Sequence, residues 1–227
     1  SGFYPHMWNV AQMAVADYGL VLGAFPVTLI QIDDRCKQAA GVVAAERLIT
    51  EHPQVVGVIG PFCSGAAMGS LPAYQERNLV SVSGSATRAD LSTLFGTGGF
   101  NRTVLNEQQM LDLGLSEDSI DVLASVQDFY ARYEGRYGSL PADIRPLMPT
   151  TYDAVQVLLN GIEDTAILGE SGGTSIELAA LVDAVRSTQG FTGLTGPIAF
   201  EEDGDRIPVE LVEGHFQTSG FRPNCSG

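Results

Sequence analysis

The chain has 227 residues, of which 44% are hydrophobic and 17% are charged. This composition supplies enough apolar material for a sizeable core and excludes wholesale disorder. Asp and Glu number 27 against 12 Lys and Arg, giving a formal net charge of −15, so neither nucleic acid nor an anionic membrane surface is an expected partner. Asp17 and Pro26 interrupt the most hydrophobic stretch, which leaves no apolar run of the roughly 18 residues that a membrane-spanning helix needs.

The first part of the chain alternates predicted helices with predicted strands. Apolar residues at helical spacing mark the helices, and short β-branched or uniformly apolar runs mark the strands. Alternation at this spacing predicts right-handed βαβ units around a parallel sheet. In chain order the predicted elements are a helix over residues 7–18, a strand over 27–32, a helix over 38–51, a strand over 55–60, a helix over about 65–77 and a strand over 79–82.

The second part contains mostly helical patterns. Asp203-Gly204 lies between the apolar runs 196–200 and 207–212, and this pattern predicts a hairpin. The glycine-containing stretch 165–175 is typical of a surface loop. The predicted helices cover about 119–134, 150–164 and 175–187.

None of the three cysteines forms a Cys-x-x-Cys pair, so no zinc site is expected. Cys36 and Cys63 each follow a predicted strand. A bridge between them would close a loop of about 28 residues and stabilise the fold by roughly 3–4 kcal/mol. Two buried free thiols explain the spacing equally well. Cys225 lies in a polar tail, and the sequence indicates no role for it.

Ligands of open α/β sheets bind beyond the carboxyl ends of the strands. Three segments are predicted to lie there: residues 1–4, 60–65 and 83–87. The last two are rich in Ser, Thr and Gly, whose hydroxyl and amide groups can bind a carboxylate. Ser64 stands at the expected N-cap of a helix, where the dipole favours an anion. The alternative is that Ser64 only caps its own helix.

Motifs of enzymes are scarce in this sequence. It contains no Gly-x-Ser-x-Gly, no His-Glu-x-x-His and no P-loop. Cys63 paired with a histidine would make a hydrolase, but the three histidines lie in unrelated contexts. Asp33-Asp34 is more typical of a solvated turn than of a metal site. We therefore expect neither catalysis nor a metal or other cofactor.

Several segments, in this order, resemble one family. The chain is similar to the type I periplasmic binding proteins, in the leucine/isoleucine/valine-binding branch that serves ABC transporters. Eight segments carry this resemblance, in the same order as in the family: residues 14–17, 32–36, 58–65, 82–87, 100–103, 129–133, 151–155 and 191–200. Gly204-Asp205 matches the family after the last of them.

The resemblance implies a ligand site and a disulfide. Ser64 and Thr87 would hold an α-carboxylate through hydroxyl and backbone N–H groups. The Ser85 carbonyl and the Thr87 hydroxyl would accept hydrogen bonds from an α-ammonium. The cysteines that match Cys36 and Cys63 form a disulfide in the family.

Four more residues enter the expected site at its margins. Ala86 lies within the second of the two matching loops. Phe3, Cys63 and Tyr152 match positions near the family's pocket. Phe3 departs from a tyrosine seen in the family, so a polar contact is lost there.

The resemblance also implies an architecture, a three-layer αβα lobe on a parallel sheet. Residues 1–109 and 119–205 would form this first lobe, without its first strand. Residues 206–227 would be closing strands and a tail toward a second lobe. Most of that second lobe would be missing between about 109 and 122. In the family the two lobes close over the ligand.

We therefore expect an exported, monomeric solute-binding protein of an ABC transporter that captures a small branched-chain amino acid or related carboxylate. Its partner would be the membrane permease, and its location would be periplasmic or extracellular after removal of a signal peptide. An alternative is an amide or amino-acid sensor on the same fold with a regulatory role, which would keep Cys36 and Cys63 reduced. The third alternative is the Cys63 hydrolase.

Overall fold

A computed structural model describes residues 4–169, 173–208, 210–212 and 215–217. Within these ranges the predicted helix 38–51 is confirmed, and the other predicted helices appear with shifted ends. The helix predicted from residue 119 is divided into a 3₁₀ turn at Glu117–Val122 and an α-helix. The helices are α1 (Tyr4–Tyr18), α2 (Gln38–Glu51), α3 (Ser64–Glu76), α4 (Asp90–Phe95), α5 (Glu107–Leu113), α6 (Ala124–Tyr137), α7 (Leu147–Thr165) and α8 (Leu178–Arg186).

The central sheet of the described chain is parallel and has the order β1-β2-β3. Its strands are β1 (Gly57–Ile59), β2 (Val80–Ser83) and β3 (Phe100–Arg102). Three antiparallel pairs follow it: β4 (Ile167–Leu168) with β5 (Thr174–Ser175), β6 (Phe191–Gly193) with β7 (Gly196–Ile198), and β8 (Glu210–Val212) with β9 (His215–Gln217).

Helices cover both faces of the parallel sheet. One core cluster joins residues of α1, α6, α7 and α8 to β2. A second cluster joins residues of α2 and α3 to Leu79, Leu91 and Phe100. All four residues of β2 are buried, as expected for a central strand covered on both sides. The predicted three-layer αβα architecture is confirmed.

The strand predicted over residues 27–32 is wrong: these residues belong to no strand. The β-branched sequence favours an extended chain, but a strand also needs a hydrogen-bonded neighbour. β1 pairs with β2 on one side, and an open groove separates β1 from residues 27–32. The missing neighbour therefore explains the difference.

The turn at Asp203-Gly204 is confirmed. Phe200 pairs with Arg206 in an isolated antiparallel bridge, and the Glu201 amide donates to the Asp205 carbonyl at 2.8 Å. The start of the second apolar run continues this pairing, because the Ile207 amide donates to the Ala199 carbonyl at 2.9 Å. Its later part, β8, pairs with β9 instead. The stretch 165–175 contains the short strands β4 and β5. No helix in the described part of the chain is long and apolar enough to cross a membrane.

Candidate ligand-binding site

Two loops lie side by side at the carboxyl ends of β1 and β2. We call residues 60–65 the first loop and residues 83–87 the second loop. The two strands are parallel and in register, with Ile59 opposite Val82. The Gly60 amide donates to the Val82 carbonyl at 2.9 Å, which extends the pairing into the first loop. The predicted position of both loops at one edge of the sheet is confirmed.

Three serines tie the second strand and loop to the first loop. They alternate along the chain, and each donates its hydroxyl to one of three successive carbonyls. Alternate residues of a strand point the same way, so this spacing suits three parallel hydrogen bonds. The bonds are Ser81 Oγ to Gly60 O at 2.5 Å, Ser83 Oγ to Pro61 O at 2.8 Å and Ser85 Oγ to Phe62 O at 2.7 Å.

A disulfide closes the first loop against the chain before α2. Cys36 and Cys63 are bonded, with their Cα atoms 5.1 Å apart, which resolves the choice that the spacing left open. Cys63 is also the N-cap residue of α3, and Ser64 is the first residue of the helix. The expected N-cap role of Ser64 is therefore wrong by one residue. Because its sulfur is bonded, Cys63 supplies no thiolate for the hydrolase alternative.

Within the described part of the chain, most of the groups that the resemblance assigns to the ligand have no hydrogen-bond partner in the protein. Ser64 Oγ accepts from the Arg88 amide at 3.2 Å but donates to no described residue. The Thr87 carbonyl accepts from the Glu107 amide at 2.8 Å. Over the described residues, the Thr87 amide and hydroxyl, the Ser64 amide and the Ser85 carbonyl take part in no hydrogen bond within the protein. Both Ser64 and Thr87 are half-buried.

Ala86 supports the second loop from inside the core. Its side chain is fully buried, and its amide donates to Ser83 Oγ at 3.0 Å. Its carbonyl accepts from Arg102 Nη1 at 2.9 Å. These contacts fix the backbone between the Ser85 carbonyl and the Thr87 amide.

Tyr152 lies on α7, and its hydroxyl donates to Asp17 Oδ2 at 2.8 Å. Arg132 Nη1 donates to the same oxygen at 2.7 Å. Burial raises the pKa of Tyr152 to about 12, assisted by the Asp17 carboxylate. Its hydroxyl is thus engaged between helices, and a contact with ligand stays a prediction. Phe3, the other aromatic candidate, lies outside the described residues.

The first turn of α7 contacts the second loop, which sequence reasoning missed. Thr150 Oγ1 donates to the Gly84 carbonyl at 2.6 Å. A Cβ atom placed on Gly84 would lie 2.4 Å from the backbone nitrogen of Thr151. Only glycine allows this close approach. The signal in the sequence was a glycine flanked by serines directly after a buried strand.

Arg102 is a second feature that the site depends on. Its guanidinium is fully buried, yet it donates from Nε to Asp205 Oδ1 at 2.5 Å and from Nη1 to the Arg88 carbonyl at 2.8 Å. Burial lowers the pKa of Arg102, and the Asp205 charge opposes this shift. No apolar pattern marked this residue, because β3 consists of Phe100, Asn101 and Arg102; all three are buried, and a buried charge requires partners.

Asp153 anchors the β6–β7 hairpin to α7. Its buried carboxylate accepts hydrogen bonds from the Leu194 amide at 2.7 Å, the Thr195 amide at 3.0 Å and Thr195 Oγ1 at 2.6 Å. Burial raises the pKa of Asp153, while the Thr195 bonds and the charge of Arg206 lower it. This carboxylate has a structural role in the closing segment.

Asp33 and Asp34 form turns, as predicted. Asp33 Oδ1 accepts from the Arg35 amide at 2.8 Å, and Asp34 Oδ1 accepts from the Cys36 amide at 2.9 Å. Within the described ranges, no group of three His, Cys, Asp or Glu side chains is arranged to hold a metal ion.

A parallel sheet covered by helices on both faces, with two tethered loops at the carboxyl ends of adjacent strands, defines a ligand-binding lobe of the open α/β class. The family model described as "Periplasmic binding protein" matches residues 2–115, half of the chain. The chain belongs to this family. A search of curated proteins gives no match.

Solved structures support the same fold. A leucine-binding protein from Thermotoga maritima aligns with a TM-score of 0.69 at 16% identity, over 96% of this chain and 93% of that one. A branched-chain amino-acid substrate-binding protein from Streptococcus pneumoniae, in complex with isoleucine, aligns at 0.71 and 13% identity, over 94% and 92%. An ABC-transporter solute-binding protein from R. palustris, in complex with benzoate, aligns at 0.68 and 13% identity, over 94% and 90%.

Proposed function

We propose that the chain belongs to an extracytoplasmic solute-binding protein of an ABC transporter, and that its two loops bind the carboxylate of a small amino acid or related acid. One observation carries the proposal. The loops are tied together by three serine hydroxyls, while Ser64, Ser85 and Thr87 keep amide, carbonyl and hydroxyl groups that no other described residue engages.

These free groups suit an amino acid at both of its charged ends. The amides of Ser64 and Thr87 and their hydroxyls are donors for a carboxylate, and α3 begins at Ser64, so its dipole adds favourable potential. The Ser85 carbonyl and the Thr87 hydroxyl are acceptors for an ammonium group. Arg88, which follows Thr87 in the chain, is paired with Asp90 at 2.5 Å, and Arg102 is paired with Asp205. Capture of the carboxylate therefore relies mainly on neutral donors.

We propose a small carboxylate as the class of ligand, and branched-chain amino acids as the favoured members of that class. The similar structures named above hold isoleucine in one case and benzoate in another. Both are small carboxylates with an apolar body, but only isoleucine has an ammonium group. The Ser85 carbonyl would accept a hydrogen bond from an ammonium group, so it would favour an amino acid over a simple acid.

The disulfide supports the exported protein over the cytosolic sensor. Structural disulfides persist in oxidising compartments and are rare in the cytosol. The Cys36–Cys63 bond therefore fits a periplasmic or extracellular protein that delivers its ligand to a membrane permease. We propose no catalytic step, because the one candidate nucleophile is bonded.

Thermal unfolding of the chain in a ligand panel tests this function. The panel holds leucine, isoleucine, valine and benzoate, with leucinamide as the analogue that lacks the carboxylate. A bound ligand at 100-fold excess over its Kd stabilises a protein by about 2.7 kcal/mol. We expect stabilisation by leucine but not by leucinamide. Equal stabilisation by both, or by no carboxylate, would contradict the proposal.

Variants at Thr87 test whether leucine binds at the second loop. Thr87→Val keeps the shape of the side chain and removes the hydroxyl, which should weaken leucine binding about fivefold, the equivalent of one hydrogen bond of about 1 kcal/mol. Thr87→Ser keeps the hydroxyl and should retain affinity. Equal affinity of all three proteins would place the carboxylate elsewhere.

A further inference from the structure

Glu107 is the first residue of α5, and it holds the second loop and the residues after it by two hydrogen bonds. Its backbone amide donates to the Thr87 carbonyl at 2.8 Å. Its carboxylate oxygen Oε1 accepts from the Ala89 amide at 3.2 Å. One residue therefore fixes the backbone on both sides of Arg88, next to the amide and hydroxyl of Thr87 that the proposed function assigns to the ligand.

The backbone around Thr87 is also held from other directions. Arg102 Nη1 donates to the carbonyls of Ala86 and Arg88 at 2.9 and 2.8 Å. The Arg88 amide donates to Ser64 Oγ at 3.2 Å, which joins the chain after the second loop to the first loop. The two bonds from α5 complete this framework. Among the described residues, the Thr87 amide is left without a hydrogen-bond partner.

The first turn of α5 is itself anchored, so Glu107 has a rigid support. Asn106 caps the helix, with its Oδ1 accepting from the Gln109 amide at 2.8 Å. The Nδ2 group of Asn106 donates to the buried carboxylate of Asp205 at 2.6 Å. Gln109 Nε2 donates to the Arg206 carbonyl at 2.9 Å. The start of α5 is therefore held in place independently of the second loop.

We propose that Glu107 is a positioning residue for capture of the ligand carboxylate, an inference that rests on the proposed function of the two loops. Its two bonds hold the peptide groups on either side of Arg88 and so direct the Thr87 amide and hydroxyl toward the ligand. Glu107 acts through Thr87 and needs no contact with the ligand. A loop that is fixed beforehand loses less conformational freedom on binding, so removal of either bond should weaken affinity.

Three substitutions at Glu107 separate its two bonds. Glu107→Gln keeps an acceptor oxygen and the backbone amide. Glu107→Ala loses the acceptor for the Ala89 amide, and Glu107→Pro loses both that acceptor and the amide that donates to Thr87. Proline suits this position, because it is the first residue of the helix and Asn106 before it is extended, at φ −74° and ψ 164°.

The Kd of leucine, measured by titration calorimetry, is the first readout. Each lost hydrogen bond should weaken binding about fivefold, so alanine should cost about fivefold and proline about 25-fold. Glu107→Gln should bind like the wild type. Because glutamine and alanine remove the same charge, the difference between them isolates the hydrogen bond. Gln108→Ala is the matched control, since Gln108 is exposed and donates to Asp112 within α5, and it should leave the Kd unchanged.

The Ala89 amide gives a second readout that needs no ligand. Its hydrogen exchange, followed by NMR, should be slow in the wild type and in Glu107→Gln and faster in Glu107→Ala. The midpoint of thermal unfolding without ligand should change little in Glu107→Ala, because this side chain is exposed. A role in general stability would instead lower that midpoint and leave the affinity of the folded protein unchanged.

The outcomes separate this role from the proposed function. Equal leucine affinity of the wild type, Glu107→Ala and Glu107→Pro, or equal exchange of the Ala89 amide in the wild type and Glu107→Ala, would overturn the positioning role and leave the function standing. Failure of the wild type to bind leucine or any other acid of the panel would overturn the function, and the role of Glu107 with it. If Glu107→Pro does not fold, the comparison of alanine with glutamine decides alone.

Discussion

Arg102 and Asp205 form a buried ion pair, with Nε and Oδ1 separated by 2.5 Å, that joins β3 to the turn after β7. The same guanidinium donates to the carbonyls of Ala86 and Arg88. One side chain therefore links the second loop, the last strand of the parallel sheet and the closing segment. The shape of the proposed binding loop depends on a residue that does not touch the ligand.

Replacing Arg102 should be among the most destabilising single changes in the chain. Arg102→Met leaves the Asp205 carboxylate buried without its cation, which typically costs 3–5 kcal/mol, a range we expect to apply at roughly this size here. The measurement is urea unfolding. Arg47→Met is the control, because Arg47 and Glu51 form an exposed pair at 3.0 Å, and the loss of an exposed ion pair should change the free energy of unfolding little. Similar values for the two variants would contradict the structural role of Arg102.

Gly84→Ala should disturb both stability and ligand binding. The added Cβ would lie 2.4 Å from backbone atoms of Thr151, and overpacking against backbone costs about 1–3 kcal/mol. Gly135→Ala is a matched control on α6, where nothing lies within 4 Å of the new atom. There alanine should stabilise the helix by about 0.5–1 kcal/mol. Opposite signs in chemical unfolding are the expected result, and destabilisation by both would refute the close-approach argument.

Reduction of the Cys36–Cys63 bond should cost about 3–4 kcal/mol in the loop-entropy account, for a sequence separation of 27 residues. The measurement is the midpoint of thermal unfolding with and without a thiol reductant. The double variant Cys36→Ser, Cys63→Ser should unfold at the temperature of the reduced protein and should not respond to reductant. A response of the double variant would assign the effect to another cysteine.

Alkaline pH should destabilise the protein partly through Tyr152. Its pKa is raised from 10.0 to about 12, by burial first and by Asp17 second, so above pH 10 the folded chain holds a proton that the unfolded chain has lost. Stability is therefore fully present below pH 10 and falls as the pH rises toward 12. Tyr18 and Tyr74 share the direction and the value.

Urea unfolding at a series of pH values checks this. Tyr152→Phe should lower stability at neutral pH by about 1 kcal/mol through the lost bond to Asp17. It should also make the decline between pH 10 and 12 shallower. An unchanged slope would mean that the Tyr152 hydroxyl titrates alike in both states.

Much of the fold could be predicted from local patterns. Continuous apolar runs indicated the buried strands, and helical spacing indicated the helices that cover them. The run 27–32 shows the limit, because its residues favour a strand but pairing depends on a neighbour elsewhere in the chain. Residues 207–212 show the same limit, since part of that run pairs with β9 instead of the run before the turn.

The sequence predicted the position of the candidate site but not its hydrogen bonds. Ser64, Ser85 and Thr87 follow strand ends, and parallel strands bring such ends together. Some serine hydroxyls tether the two loops and others are left for a ligand. This difference depends on which carbonyl each hydroxyl reaches, and sequence spacing does not reveal it. Thr150, Arg102 and Asp205 lie far along the chain from the loops and meet them only through tertiary packing. The lobe boundaries near 109 and 122, the permease and the ligand contacts of Phe3 and Tyr152 stay predictions.

Backbone amide NMR of the isotope-labelled chain, titrated with leucine, tests the central claim most directly. We predict saturable shifts centred on the amides of Ser64 and Thr87. Those shifts should be absent with leucinamide and much weaker in Thr87→Val. The amide of Gly135, on the exposed surface of α6, should not move. Saturable shifts that leave Ser64 and Thr87 unchanged, or no shift at any leucine concentration, would contradict the account.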